Sequence, residues 1–259
     1  MNWKARRTKQ IIWSVSIVML AIAIVLNIWA ISKFTQTTSA PIASPLPTVT
    51  IIADPEPIAV PNPDSKLTAE ELAATKDTTR KLGHFRYAEA DPSQLVMIGS
   101  YGTGKNQRFE SMQPEAALAL MKMIYGAREE GIWLVPVSAY RSVELQSQLF
   151  KAQVERRGSE AEAAKVSAPP GYSEHHTGYA VDITDGNLPP DQDVTEVFAN
   201  TRAYEWMLEN AKKFGFEQSF PENNPQQGVS FKPWHWRYIA SDRAKAIFSR
   251  ARALTTSAQ

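Results

Sequence analysis

The strongest hydrophobic feature of the chain is an uncharged stretch from Ile11 to Ser32, broken internally only by Ser14, Ser16 and Asn27. At about 1.5 Å per residue, some 20 apolar residues in a helix cross a hydrocarbon core of about 30 Å. The apolar core of a cleavable signal peptide is shorter, about 7–15 residues. The pattern therefore predicts a basic tail and retained transmembrane anchor over residues 1–34. Lys4, Arg6, Arg7 and Lys9 precede the span and only Lys33 closely follows it, which predicts a cytoplasmic N-terminus and an extracytoplasmic bulk. Thr38-Ser39-Ala40 loosely matches a cleavage site, and Pro41 directly after it opposes cleavage.

Residues 35–66 lose this hydrophobic continuity. Prolines at 41, 45, 47, 55, 57, 61 and 63 stand among Ser and Thr, a composition that packs no core and reads as an extended tether. Residues 67–259 then carry the periodicities of one folded domain. Thr68 and Glu71 form a capping-box pattern that starts a helix to about Lys81. From Gln113 to Glu130, Ala117, Leu118, Leu120, Met121, Met123, Ile124 and Ala127 recur at helical spacing, closed by Gly131. Ile132 to Val137 reads as a strand, with Pro136 assigning it to a sheet edge. Val143 to Arg157 predicts a helix ending at Gly158, loops run on to Ser173, Arg202 to Phe214 predicts a helix closed at Gly215, and Asp242 to Leu254 a C-terminal one. Helices first, short strands later and little βαβ alternation define the class as α+β, a small antiparallel sheet flanked by helices.

Composition narrows the chemistry. A hydrophobic fraction of 43% with 21% charged residues is that of a globular protein. A formal charge of +1 offers no concentrated basic excess, so no nucleic-acid partner is expected. The chain has no cysteine, which excludes disulfides and thiolate ligands and leaves His, Asp and Glu to hold any metal.

Two segments carry candidate metal chemistry. In Gly178-Tyr179-Ala180-Val181-Asp182-Ile183, strand geometry would send Tyr179, Val181 and Ile183 to the core and Gly178, Ala180 and Asp182 to the other face. That second face pairs one carboxylate with two residues almost without side chains, leaving room for an ion and a ligand. Phe231-Lys232-Pro233-Trp234-His235-Trp236-Arg237-Tyr238 brings a histidine among large aromatics. Two imidazoles and one carboxylate satisfy Zn²⁺ while leaving a fourth position open, the arrangement of a catalytic ion. Arg141, just past the predicted strand, can present a permanent charge to a developing oxyanion or a substrate carboxylate. Gln146, four residues after Ser142, shares its helix face.

At these residues the chain resembles the D-alanyl-D-alanine carboxypeptidase family, the VanY-like zinc peptidases that include D,D-dipeptidases and LD-carboxypeptidases. The pattern Ser-x-His-x-x-Gly-x-Ala-x-Asp is met at every fixed position from Ser173 to Asp182, and the likeness runs over roughly residues 80 to 240 through Ser138-Ala139-Tyr140-Arg141-Ser142, Gln146, Leu149-Phe150, Trp206, Gly215-Phe216 and Pro233-Trp234-His235-Trp236-Arg237. The resemblance implies that His175, Asp182 and His235 are the Zn²⁺ ligands and that Arg141 polarises the substrate. It assigns Ser138, Gln146 and Ser173 to substrate binding, peptidoglycan stem peptides to the substrate, and hydrolysis of a D,D or L,D bond to the activity.

One position departs from the pattern. Three residues before the second histidine, the active family has a glutamate that takes a proton from the attacking water and returns it to the leaving amine; here that residue is Lys232. An ammonium has donors and no acceptor. Making it half neutral near pH 7 costs roughly 4.6 kcal/mol, while repulsion from a divalent ion about 5 Å away is on the order of 6–7 kcal/mol at an effective dielectric near 20. A flexible stem could instead carry the charge into solvent. Lys232 thus predicts weakened or absent hydrolysis with the ligands intact, and leaves a non-catalytic zinc-containing wall-binding module as the competing function. Glu174 is not promoted to the base. Gly102-Thr103-Gly104-Lys105 lacks the remaining features of a phosphate loop and reads as a turn; His84 and His176 are expected to make structural hydrogen bonds.

Overall fold

A computed structural model describes residues 66–256. The expected anchor and nearly all of the expected linker lie outside the described residues. Among the described residues, no helix is long and apolar enough to cross a membrane.

Helix α1 (Ala69–Lys76) opens with the expected capping box, in which Thr68 Oγ1 accepts from Glu71 N–H and Glu71 Oε2 accepts from Thr68 N–H. It stops before Lys81 because Asp77 Oδ1 accepts from both the backbone and hydroxyl of Thr79, turning the chain into the short pair β1 (Arg80–Lys81) and β2 (His84–Phe85). A second hairpin, β3 (Val96–Tyr101) and β4 (Arg108–Met112), follows. Strands therefore precede the long helices, contrary to the expected order, and Gly102 to Lys105 belongs to the hairpin connection. The hairpin escaped the sequence pattern because only Val96, Ile98 and Tyr101 of β3 are even partly shielded.

Helix α2 (Pro114–Glu129) buries Ala116, Ala117, Leu120, Met123 and Ala127. Leu118 and Met121 lie on its exposed side, so the core stripe is narrower than the periodicity suggested. After β5 (Leu134–Ser138), α3 spans Val143–Arg157 and ends at Gly158 with φ 83, a left-handed closure. The expected loop beyond it contains α4 (Glu160–Val166), started by Ser159 Oγ accepting from Glu162 N–H. Its seven residues and polar outer face gave little hydrophobic signal. The chain continues through β6 (Ala180–Asp185), α5 (Arg202–Asn210) with a 3₁₀ turn to Phe214, β7 (Phe216–Gln218) and β8 (His235–Tyr238). The expected C-terminal helix is divided at Phe248 into α6 (Asp242–Ile247) and α7 (Ser249–Thr256).

The central sheet is antiparallel in the order β5-β6-β8-β7. As Pro136 implied, β5 is an edge strand, and its pairing with β6 shifts register between Pro136 and Ser138. Tyr179, Val181 and Ile183 enter one hydrophobic core with Leu120, Met123, Met207 and Phe216. Asp182 lies in register with Ser138 on one side and His235 on the other, so the three positions form a row across the sheet. The domain is α+β, with the small antiparallel sheet as its platform.

His84 ties the β1–β2 pair to α4 by donating from Nε2 to the Ala164 carbonyl at 2.8 Å. Burial, followed by the nearby Lys232 charge, pushes its pKa from 6.5 down to about 4. The unfolded chain therefore takes up a proton at His84 below pH 6.5 that the folded chain refuses, and stability falls as pH drops from 6.5 towards 4. His84→Gln retains a donor for Ala164. Its unfolding free energy, followed by denaturant titration at pH 7 and pH 4, is expected to lose about 3 kcal/mol less than the wild type over that interval.

Candidate metal centre

His175 is set by a 3₁₀ turn, Glu174–Thr177, whose first orphan N–H groups are answered by Ser173: its Oγ accepts from His175 N–H at 3.3 Å. Gly178 closes the turn at φ 69, and a Cβ there would stand 2.9 Å from Leu95 and 3.4 Å from the Gln113 backbone. Glycine is required on both counts. The segment after β5 grips the histidine from the other side. Arg141 N–H donates to the His175 carbonyl at 3.2 Å, and His175 Nδ1 donates to the Ala139 carbonyl at 2.6 Å. That segment is in turn held by Glu110 of β4, which accepts from Ala139 N–H at 2.6 Å. His176 plays the expected structural part, donating from Nδ1 to the Arg141 carbonyl and accepting Gly171 N–H on Nε2.

The three expected ligands converge. One nitrogen or oxygen from each of His175, Asp182 and His235 lies within 4.8 Å of the others, and all three residues are buried. Asp182 Oδ1 is 3.2 Å from His175 Nε2 and 2.8 Å from His235 Nδ1. Their tautomers follow from the groups behind them. The Ala139 carbonyl can only accept, so His175 carries its proton on Nδ1 and turns the Nε2 lone pair inward. His235 Nε2 is 2.9 Å from Glu174 Oε2, so its proton sits there and the Nδ1 lone pair faces inward. Two lone pairs and a carboxylate oxygen aimed at one point repel unless a cation lies among them. The surroundings favour positive charge at this point. Against the effect of its own burial, Asp182 and Glu174 raise the pKa of His235, so that a proton on Nδ1 and a metal ion would compete for the same place beside Asp182, whereas burial, with Arg141 next among the lowering effects, depresses that of His175 to about 3 and keeps it neutral. His175 Nε2 also has no hydrogen-bond partner although buried. The donor set and its outer contacts fit Zn²⁺.

Around the triad lies a cleft of about 600 Å³, reached by Arg141, Ser173, Phe220, Lys232 and Trp234 and walled on one side by the last turns of α3. Arg141 donates from Nη2 to Asp182 Oδ2 at 2.8 Å and from Nη1 to Gln146 Oε1 at 3.1 Å. Lys232 does not swing outward; its side chain is buried in the cleft wall with Nζ 4.8 Å above the Phe220 ring. Burial foremost, with help from the Arg141 charge and against Asp182 and Glu174, brings its pKa down to about 8, and a divalent ion among the ligands would lower it further.

The family model for VanY, D-alanyl-D-alanine carboxypeptidase, matches residues 109–241, just over half of the chain. The chain belongs to this family. A Bacillus subtilis protein named as a carboxypeptidase, YodJ, is 37% identical over 161 residues, covering 61% of this chain and 57% of the relative. A D-alanyl-D-alanine carboxypeptidase of Enterococcus faecalis is 32% identical over 144 residues, with 52% of this chain and 51% of the relative covered. The chain thus spans little more than half the length of these curated relatives. Among solved structures, that of the LdcB LD-carboxypeptidase, described as revealing the molecular basis of peptidoglycan recognition, aligns with a TM-score of 0.52 at 33% identity, covering 64% of this chain and 79% of that one.

Within this VanY domain two expected substrate residues take other places. Gln146 is fully buried behind Arg141, where it accepts from the guanidinium and donates to Ser167 Oγ and the Ala168 carbonyl; helical spacing put it on the correct face but one layer too deep. Ser138 is Asp182's register neighbour on the edge strand and does not line the cleft. Ser173 does line it, although its hydroxyl is engaged in capping the turn. What the sequence reading missed is the group behind His235. Glu174 accepts from His235 Nε2 and Ser219 Oγ through Oε2, and from Arg237 Nη1 at 2.8 Å through Oε1. Although burial opposes it, Arg237 and His235 hold this carboxyl far below its usual range, so Glu174 is no proton acceptor. One signal was available, since residues 235 and 237 of a strand share a face.

Glu174→Gln removes the charge that orients His235 while keeping the side chain's shape. Zinc affinity, measured by competition with a chromophoric chelator, is expected to fall about 10- to 100-fold; unchanged affinity in a folded variant would rule out the orienting role.

Proposed function

We propose that this domain is a zinc-dependent carboxypeptidase of peptidoglycan stem peptides, D-alanyl-D-alanine or LD in specificity, whose hydrolysis is weakened by Lys232. The observation that carries the reading is the inward aim of His175 Nε2, Asp182 Oδ1 and His235 Nδ1, each nitrogen freed by a proton fixed on the far side of its ring. Membership of the VanY family and the fold shared with an LD-carboxypeptidase support it. The apolar run at 11–32 supports a single-pass anchor holding the domain outside the membrane, near that substrate.

His175, Asp182 and His235 would hold the ion. Bound there, zinc would act as a Lewis acid towards a peptide carbonyl and would lower the pKa of water. The chain's own residues supply orientation and charge. Glu174 and Ala139 fix the two imidazoles, and Arg141 fixes Asp182 while lining the cleft with a permanent positive charge suited to an oxyanion. Proton abstraction is the weak step. Lys232 in its ammonium form has no acceptor for a proton, unlike the glutamate it replaces, and Glu174 already accepts from four donors, His235, Ser219, Arg237 and Tyr87.

Lys232 also favours a second reading, a zinc-containing module that binds wall peptides without cutting them. Incubating the full chain with a pentapeptide stem beside His175→Ala and Lys232→Glu separates the two. Slow release of a terminal D-amino acid by the wild type, abolished in His175→Ala and accelerated at least 10-fold in Lys232→Glu, is the expected result. Release gained only in Lys232→Glu would leave the binding module standing and the enzyme reading refuted.

A further inference from the structure

Charges around the metal triad are paired within the protein. Asp182 Oδ2 takes Arg141 Nη2, whose neighbouring Nη1 is committed to Gln146, and Glu174 takes Arg237. Lys232 breaks this pattern. It is only 7% exposed and lines the cleft. Its Nζ lies over the face of Phe220, and among the described residues no carboxylate comes within 4.0 Å of it. An ammonium largely shielded from bulk water and given no protein acceptor is destabilising, and an aromatic face offsets that only in part. At Lys232 the buried wall of the cleft is therefore complementary to a negative charge that the protein itself does not place there.

The reading under Proposed function, on which this step rests, names where that charge comes from. A carboxypeptidase substrate ends in a free carboxylate one residue beyond the scissile amide, and this is the one anion that every such ligand brings into the cleft. We propose that Lys232 is a substrate-binding residue whose ammonium pairs with the terminal carboxylate of the bound stem peptide, fixing the chain end beside the His175–Asp182–His235 triad. The residue at the position of the family's base thus reads the free end of the peptide. Arg141, whose Nη groups are engaged by Gln146 and Asp182, stays beside the triad.

The test is calorimetric binding of two uncleavable pentapeptide analogues to the zinc-loaded full chain. In both, the last amide C–N bond is replaced by C–C; one ends in a carboxylate and the other in a carboxamide. The wild type is expected to bind the acid about 10- to 100-fold more tightly than the amide. Lys232→Met should bind both as weakly as the wild type binds the amide, and Lys232→Arg should keep the preference, which separates lost charge from lost folding. A wild type indifferent to the end group, or a Lys232→Met variant that still prefers the acid, overturns the proposal while leaving a stem-peptide site in place. Binding of neither analogue to the wild type overturns both this step and the peptidase reading beneath it.

Discussion

Asp182 and His235 face one another across neighbouring antiparallel strands, and the site depends on this pair. Cross-strand neighbours stand about 5 Å apart at Cβ whatever the rest of the protein does, so sheet register alone brings a carboxylate and an imidazole into reach. Register is fixed here by burial. Sliding β6 by one residue would turn Val181 and Ile183 out of the core and Asp182 into it. The hydrophobic face of the strand therefore sets the position of the polar one, and the large residues of the core are part of the metal geometry.

A pair of lone-pair donors held together in a buried place needs positive charge around it, and the protein supplies this in layers. Arg141 answers the outer oxygen of Asp182, while Glu174 directs His235 and is itself answered by Arg237. Breaking a buried pair of this kind by removing one partner costs about 3–5 kcal/mol, because the other charge is left stranded. The Glu174–Arg237 pair thus serves folding and ligand orientation together. Its strength also removes Glu174 from proton transfer, since a carboxylate held so firmly in its charged form makes a poor base.

This division explains what was legible in the sequence. His175 and Asp182 lie seven residues apart, joined by one turn, one glycine and the start of a strand, so their spacing has local meaning and could be read. Thr68, Gly158 and Gly215 act within a few residues of themselves and were legible for the same reason. Glu174 with Arg237, Glu110 with Ala139 and Gln146 with Ala168 meet only after the chain has folded. No periodicity reports such contacts. Helix α4 and the β3–β4 hairpin failed differently: each leaves much of its surface in water, so the hydrophobic alternation that marks an element was too faint to place them.

Lys232 joins the two kinds of information. Its backbone is committed to the site: its N–H donates to the Phe220 carbonyl at 3.0 Å, and its own carbonyl accepts from His235 N–H and Gln218 Nε2, each at 3.3 Å. Its side chain touches no metal ligand through a hydrogen bond or ion pair among the described residues. The frame that places His235 is thus built from main-chain atoms at position 232, which any residue other than proline provides. The side chain there is consequently free to change sign without moving the ligands. A glutamate would add a third carboxylate to the neighbourhood of Asp182 and Glu174; a lysine reverses that by two unit charges in a space largely closed to water, where screening is weak. The placing of the ligands is insulated from the change because it rests on main-chain atoms, whereas the charge felt by anything bound beside them is directly exposed to it.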